Sequence, residues 1–193
     1  DVVVVGAGPG GGQAARSLAK KGLNTLLIER YDSFEDNNFS SAGMTLEPLK
    51  EFDIPNWTIG SYWSDIEIQC TKEKYVWKGE TKKGVVLDFA KLRQFLADES
   101  KKLGADVWMG HKFINKKVTD IGVELELLDV NSKKIKTIFS KIVVDATGPL
   151  RKVMYEEKDQ QPEMVLGSGT EYIIKVEQEV YDRFKDKLVF FLG

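Results

Sequence analysis

Cysteine is nearly absent from this chain. Of 193 residues only Cys70 carries a thiol, which excludes an internal disulfide and fits a reducing compartment. Histidine is equally scarce. His111 stands alone, with no acid or nucleophile near it in the pattern, and reads as a surface residue. No apolar run approaches the ~20 residues that a membrane-spanning helix requires. An excess of one charge is also missing: 28 Lys and Arg face 30 Asp and Glu, a formal net charge of −2, so there is no electrostatic case for nucleic acid. The sequence shows no basic amphipathic helix, no internal repeat and no low-complexity tract. Neither a cleavable signal ahead of the first strand pattern nor a metal site is expected.

What remains is ordinary globular material. The chain is 42% hydrophobic and 30% charged, enough to bury a core as one domain or a domain with a subdomain. It begins inside one strand pattern and stops inside another, residues 188–193, so a fragment of a longer protein is expected.

Residues 1–30, DVVVVGAGPGGGQAARSLAKKGLNTLLIER, organise the rest. The continuous apolar run 2–5 suits a parallel strand covered on both faces. Gly6, Gly8 and Gly11 then match G-x-G-x-x-G, with Pro9 and Gly10 between them. Gly6 permits a sharp turn, Gly8 lets the backbone approach a pyrophosphate, and Gly11 lets the helix pack close to the strand. The helix start offers free N–H groups and a favourable dipole to a diphosphate. Ala14, Ala15, Leu18 and Ala19 form a small apolar helix face, Gly22 ends the helix, and 26–28 make the second strand. Glu29 follows 18 residues after Gly11. An acid about 20 residues on can accept hydrogen bonds from a ribose hydroxyl. Strand, glycine turn, helix and acid together read as a dinucleotide site. Turn physics alone leaves FAD and NAD both open.

Further along, 31–41 is a polar loop and 45–52 a short helix candidate. Small residues Ser41, Ala42 and Gly43 allow backbone to approach a flat ring, or make an ordinary surface loop. Segments 65–70 and 74–78 alternate as strands. Trp57, Trp63 and Trp77 suit core packing better than the wall of an apolar substrate cavity. Asp88 reads as the N-cap of a helix whose buried face is Leu92, Phe95, Leu96, Ser100 and Leu103, ended by Gly104. Strand 105–109 follows, then three alternating strands at 112–118, 122–130 and 135–139 with a turn at 131–134. Residues 142–144 read as a buried strand opening into Asp145-Ala146-Thr147-Gly148-Pro149, where Gly148 suits a chain reversal or close approach of a ligand. Residues 169–174 are a last strand candidate, before a polar segment and the apolar 188–193.

The N-terminal pattern, GAGPGG with GLNTLLIER, resembles the FAD-binding N-terminus of geranylgeranyl reductases and aromatic hydroxylases. The DATG segment resembles the D-A-S/T-G stretch of the prenyl reductases and flavin halogenases, which place it beneath the first glycine turn. Aromatic hydroxylases carry Asp-Gly there, so Thr147 favours the reductase or halogenase side. The resemblance implies an α/β fold: a Rossmann-like FAD-binding domain with a parallel sheet, into which antiparallel strands of a substrate domain are inserted. It assigns 1–58 and 84–153 to the FAD-binding domain, and 59–83 and 154–193 to the start of the substrate subdomain.

It also implies FAD as cofactor and NAD(P)H as electron donor. The implied substrate is a hydrophobic small molecule, reduced at a carbon–carbon double bond of a prenyl chain. Implied cofactor residues are Gly6, Gly8, Pro9, Gly10, Gly11 and Glu29, with Arg30 over adenine, Phe113 supplying a backbone contact to adenine, and Thr147 and Gly148 supporting the dinucleotide. Ser41, Ala42 and Gly43 stand where the prenyl reductases carry a Cys-Gly-Gly-like segment beside the flavin; the thiol is missing here. Arg93 lies inside its helix rather than at the start, where hydroxylases place an arginine, and takes no role. Arg151 and Lys152 continue the basic segment that follows this turn. No catalytic residue is assigned. Cytoplasmic location is expected, with peripheral membrane contact implied only by the prenyl substrate. A flavin monooxygenase or halogenase-like enzyme, a non-catalytic dinucleotide-binding module and an NAD-binding dehydrogenase domain are the alternatives.

Overall fold

The computed structural model describes residues 1–38, 40, 42–155, 160–165, 167 and 169–192. They divide into two compact units: residues 1–38 with 93–167, and residues 39–92 with 168–193.

The first unit is built on a four-stranded parallel sheet. Strand β1 (Val2–Val5) leads through α1 (Pro9–Lys20) to β2 (Thr25–Ile28). β7 (Asp106–Trp108) extends the sheet beyond β2, and β11 (Ile142–Asp145) flanks β1 on the other side. All four residues of β1 are buried, Val4 completely. A parallel strand covered on both faces has no wet side to encode, hence the unbroken valine run. Burying each such side chain contributes roughly 1.5–3 kcal/mol.

What covers the two faces follows from the period-2 alternation of strands. Val3, Val5 and Ile28 pack on Leu125, Leu127 and Val153, with Phe113, Val123, Ile138 and Trp108 around them. Most of these belong to an antiparallel meander, β8 (His111–Thr119), β9 (Gly122–Asp129) and β10 (Ile135–Ser140). On the opposite face α1 lies against β1 and β2. Its residue Gly12 touches Leu96 of α3 (Phe89–Lys102): a Cβ on Gly12 would stand 2.8 Å from the Leu96 Cβ.

In the second unit, β4 (Ile59–Gln69) pairs with β5 (Lys74–Trp77), β6 (Gly84–Leu87) and β12 (Asp186–Phe191), and β3 (Gly43–Thr45) pairs with β6. α2 (Glu47–Glu51) and α4 (Gln178–Phe184) are short. Within the central strand Glu67 is buried, and Lys74 reaches its carboxylate at 2.7 Å. The mixed α/β architecture with inserted antiparallel strands is the one expected.

Several local expectations change. β11 is an edge strand, so Ile142 is 59% exposed and the strand is not buried. Residues 169–174 form no strand; Tyr172, Ile173 and Ile174 are exposed, and the parallel neighbour of β4 is β12 instead. β4 starts six residues earlier than its alternation suggests, because a register shift between Ile59 and Ser61 breaks the pattern. Trp63 is in the core and donates to the Val85 carbonyl, but Trp57 and Trp77 are exposed. Leu103, just past the end of α3, is 39% exposed. His111 is half-buried rather than superficial. Its Nδ1 donates to the Met109 carbonyl at 2.7 Å and its Nε2 accepts from Lys136 Nζ at 3.0 Å.

Candidate functional site

The turn leaving β1 is shaped by what crosses beneath it. Gly6 has φ +103°, and a Cβ there would lie 2.4 Å from the Ala146 carbonyl oxygen. Ala146 follows β11 and donates its N–H to the Val5 carbonyl at 2.9 Å. So the DATG segment itself forbids a side chain at the first glycine. Gly11 is equally constrained: its Cβ would fall 1.8 Å from the Gly6 carbonyl oxygen.

Gly8 and Gly10 differ in kind. A Cβ at either meets nothing within 4 Å. Their missing side chains keep a space open rather than avoid the protein. Gly8 is the N-cap of α1 in extended conformation, Pro9 occupies the first turn where no N–H is needed, and no side chain caps the helix. No acid stands in that first turn. The positive end of the helix dipole is thus left for an anion. In front of it lies a cavity of about 400 Å³, lined by Gly8, Pro9, Gly10 and Gly11 on one side and Asp145, Ala146, Gly148, Arg151 and Met154 on the other. That volume lies in the range of small-molecule sites. A cradle of backbone donors that a side chain would obstruct, with no acid in the first turn of α1, fits the diphosphate of a dinucleotide.

Glu29 ends β2 and is 7% exposed. One carboxylate oxygen accepts the Ala7 N–H at 2.9 Å, and the other accepts the Tyr31 N–H at 3.2 Å. It therefore points at the glycine turn and fastens it. Two oxygens carry about four lone-pair sites, so acceptor capacity remains for a ligand hydroxyl. Behind this acid, Arg93 is buried. Its guanidinium lies 5.1 Å from the Phe34 ring centroid and donates to the Phe34 carbonyl. Burial pulls Arg93 below its ordinary pKa, and the charges of Glu29 and Glu35 oppose that shift.

Asp145 builds the far wall. One oxygen accepts from the Thr147 N–H (3.0 Å) and hydroxyl (2.6 Å), the other from the N–H groups of Val153 (2.9 Å) and Met154 (2.7 Å). Burial alone would raise this carboxyl, but those hydrogen bonds outweigh it and hold the pKa below the ordinary aspartate value. Lys116 takes the other side of the same dipeptide: its Nζ donates to the carbonyls of Val153 (2.5 Å) and Met154 (3.3 Å). The segment after β11 is stapled through both its donors and its acceptors.

Of the residues expected at a cofactor, Gly8, Pro9, Gly10, Gly11 and Gly148 surround one cavity, and Gly6 and Glu29 shape the turn beside it. Gly148, at φ +70°, needs its lack of a side chain for conformation. Thr147 braces the wall, donating to Asp145 and accepting from the Lys152 N–H at 2.8 Å. Arg30 is exposed and lies over the Tyr31 ring, 4.7 Å from its centroid. Phe113 packs into the core from β8. Ala42 and Gly43 belong to the second unit, where Ala42 accepts from the Leu87 N–H and Gly43 pairs with Val86. Ser41 lies outside the described residues. Sequence reasoning missed Asp145, Lys116 and Arg93. Asp145 carried one signal, an acid at a strand end next to small residues. Lys116 and Arg93 carried none, since their partners are backbone groups 37 and 59 positions away.

Comparison with known proteins follows the same lines. A family model described as FAD dependent oxidoreductase matches residues 1–149. A digeranylgeranylglycerophospholipid reductase of Haloferax volcanii is 32% identical over 152 residues, covering 77% of this chain and 35% of the relative. The chain spans about a third of the length of such curated relatives. A crystal structure of a geranylgeranyl bacteriochlorophyll reductase-like protein from Thermoplasma acidophilum superposes with TM-score 0.68 at 30% identity, over 76% of this chain and 38% of that one. A myxobacterial FAD-dependent halogenase shares the fold at 18% identity, with TM-score 0.65 over 79% of this chain and 38% of its own.

Proposed function

We propose that this chain, which belongs to the family of FAD dependent oxidoreductases, comes from a reductase that saturates carbon–carbon double bonds of a prenyl, geranylgeranyl-like substrate. NAD(P)H is the donor, and the overall reaction adds its hydride and a proton across the double bond. Bound FAD supplies the two-electron chemistry. The chain's own residues hold and orient the cofactor. The α1 start at Gly8–Gly11 takes the diphosphate, Glu29 accepts from ribose hydroxyls, and Arg30 and the Phe113 backbone border the adenine. Thr147 and Gly148 support the dinucleotide from below, and Ser41, Ala42 and Gly43 approach the flavin. In this reading 1–58 and 84–153 serve the cofactor, and 59–83 and 154–193 open the substrate subdomain.

The observation that carries the cofactor assignment is the open side of Gly8 and Gly10 above a cavity whose neighbouring acid, Glu29, is fastened to the same turn. The reductase assignment draws support from the names of the relatives. Among the described residues no helix is long and apolar enough to cross a membrane; a cytoplasmic enzyme that meets a lipid-like substrate at a membrane surface suits the reading. The halogenase likeness of the fold supports a monooxygenase-type second reading. The test uses the full-length protein loaded with FAD, without oxygen, supplied with NADPH or NADH and a geranylgeranyl lipid. Product heavier by two hydrogens per double bond is expected. Turnover only with oxygen, giving oxygenated or halogenated product, would favour the second reading; no turnover with any acceptor would favour a binding module.

A further inference from the structure

The wall facing α1 carries one cationic side chain. Arg151 lines the cavity with Gly8, Gly10 and Gly11. Its backbone is left-handed, φ 43° and ψ 44°, a conformation that costs an L side chain and costs glycine nothing. The chain is held there from both sides. Arg151 donates its N–H to the Gly148 carbonyl at 3.1 Å. Two residues later Asp145 and Lys116 fix Val153 and Met154. A side chain kept at a position made for glycine is a reason to look for its use.

The guanidinium is held loosely for so charged a group. Its Nη2 donates to the Met164 thioether sulfur at 2.9 Å, a weak acceptor. Among the described residues no carboxylate pairs with it. Five N–H donors in a planar fork suit a phosphate group, and the opposite wall is the unacidified start of α1.

Resting on the dinucleotide reading, we propose that Arg151 is a cofactor-binding residue: its guanidinium neutralises the diphosphate seated on the α1 turn. Its strained backbone is retained because it aims the side chain into the cavity. Arg151 thereby acts on affinity for the diphosphate, not on the redox step.

The test uses the full-length protein stripped of ligand, with binding of FAD, ADP and adenosine measured for the wild type and the Arg151→Gln, Arg151→Lys and Arg151→Gly variants. Arg151→Gln is expected to weaken FAD and ADP about tenfold or more, to leave adenosine unchanged, and to flatten the dependence of FAD affinity on salt. Arg151→Lys should recover part of the loss. Arg151→Gly should lose the same affinity while the melting midpoint of the ligand-free protein holds or rises, because the left-handed strain is gone. FAD and ADP bound by Arg151→Gln as tightly as by the wild type would overturn the role of Arg151 and leave the dinucleotide site standing. An equal loss for adenosine, or a midpoint lowered by several degrees in Arg151→Gly, would make Arg151 structural and also overturn it. A wild-type protein that binds neither FAD nor ADP would overturn the dinucleotide reading itself, and this inference with it.

Discussion

Two kinds of glycine meet in one turn, and they should respond oppositely to substitution. Gly8→Val places its Cβ in open space, with no non-neighbouring atom within 4 Å, at φ −68°. The fold should keep its melting midpoint within about 2 °C, corresponding to a surface change of ±0.5 kcal/mol or less, while FAD binding is lost. Gly11→Ala instead drives a Cβ into the Gly6 carbonyl. It should cost about 1–3 kcal/mol or more of stability in denaturant unfolding, with or without ligand. Asp145 gives a third test at this scale. Asp145→Asn replaces an acceptor oxygen by an NH₂ group facing the N–H donors of Val153 and Met154 or Thr147, and about 2–3 kcal/mol should be lost. The pH dependence has a definite sign. The folded carboxyl is depressed, so its contribution is present above the unfolded aspartate value near ~3.9 and is lost as pH falls through the folded value. Asp129, held to about 2 by the Ser132 and Asn131 N–H groups in the β9–β10 turn, behaves alike. Acid unfolding followed by circular dichroism should be shallower in Asp145→Asn than in the wild type.

At the scale of elements, the site is where four pieces of chain meet: the end of β1, the start of α1, the end of β2 and the exit from β11. The first three were legible because each leaves a local mark: an apolar run, a glycine spacing and an acid after the second strand. The exit from β11 was legible as a motif, DATG, but its work was not. That Ala146 forbids a Cβ at Gly6 depends on parallel pairing across 140 residues, Val5 with Asp145, which no local pattern contains. The same limit explains the misses. The apolar content of 142–144 cannot distinguish an edge strand from a central one. The apolar residues 172–174 look like a strand although the place beside β4 belongs to β12. Lys116 is the element-scale test. Lys116→Met keeps the aliphatic stem and removes the donor to the Val153 and Met154 carbonyls. Amide hydrogen exchange at Val153 and Met154 should speed up, reflecting about 1–2 kcal/mol less local protection, with little change in β1 and β2.

At the scale of the whole molecule, the described residues fall into two compact units, the first of which holds the glycine turn and the DATG segment. Membership in the FAD dependent oxidoreductases and relatives named as geranylgeranyl-lipid reductases follow the resemblance seen in the first 30 residues and in DATG. The glycine turn of the candidate site was readable because backbone exposure is written in glycines. The wall built by Asp145 and Arg151 was not, because such walls are brought together by tertiary packing. Purified full-length protein, its bound nucleotide released by heat and identified, tests the central claim most directly when Gly8→Val is treated alongside. The wild type should be yellow and release close to one FAD per chain, and Gly8→Val should be folded and colourless. A colourless wild type that refuses FAD, or a Gly8→Val that binds it equally well, would contradict it.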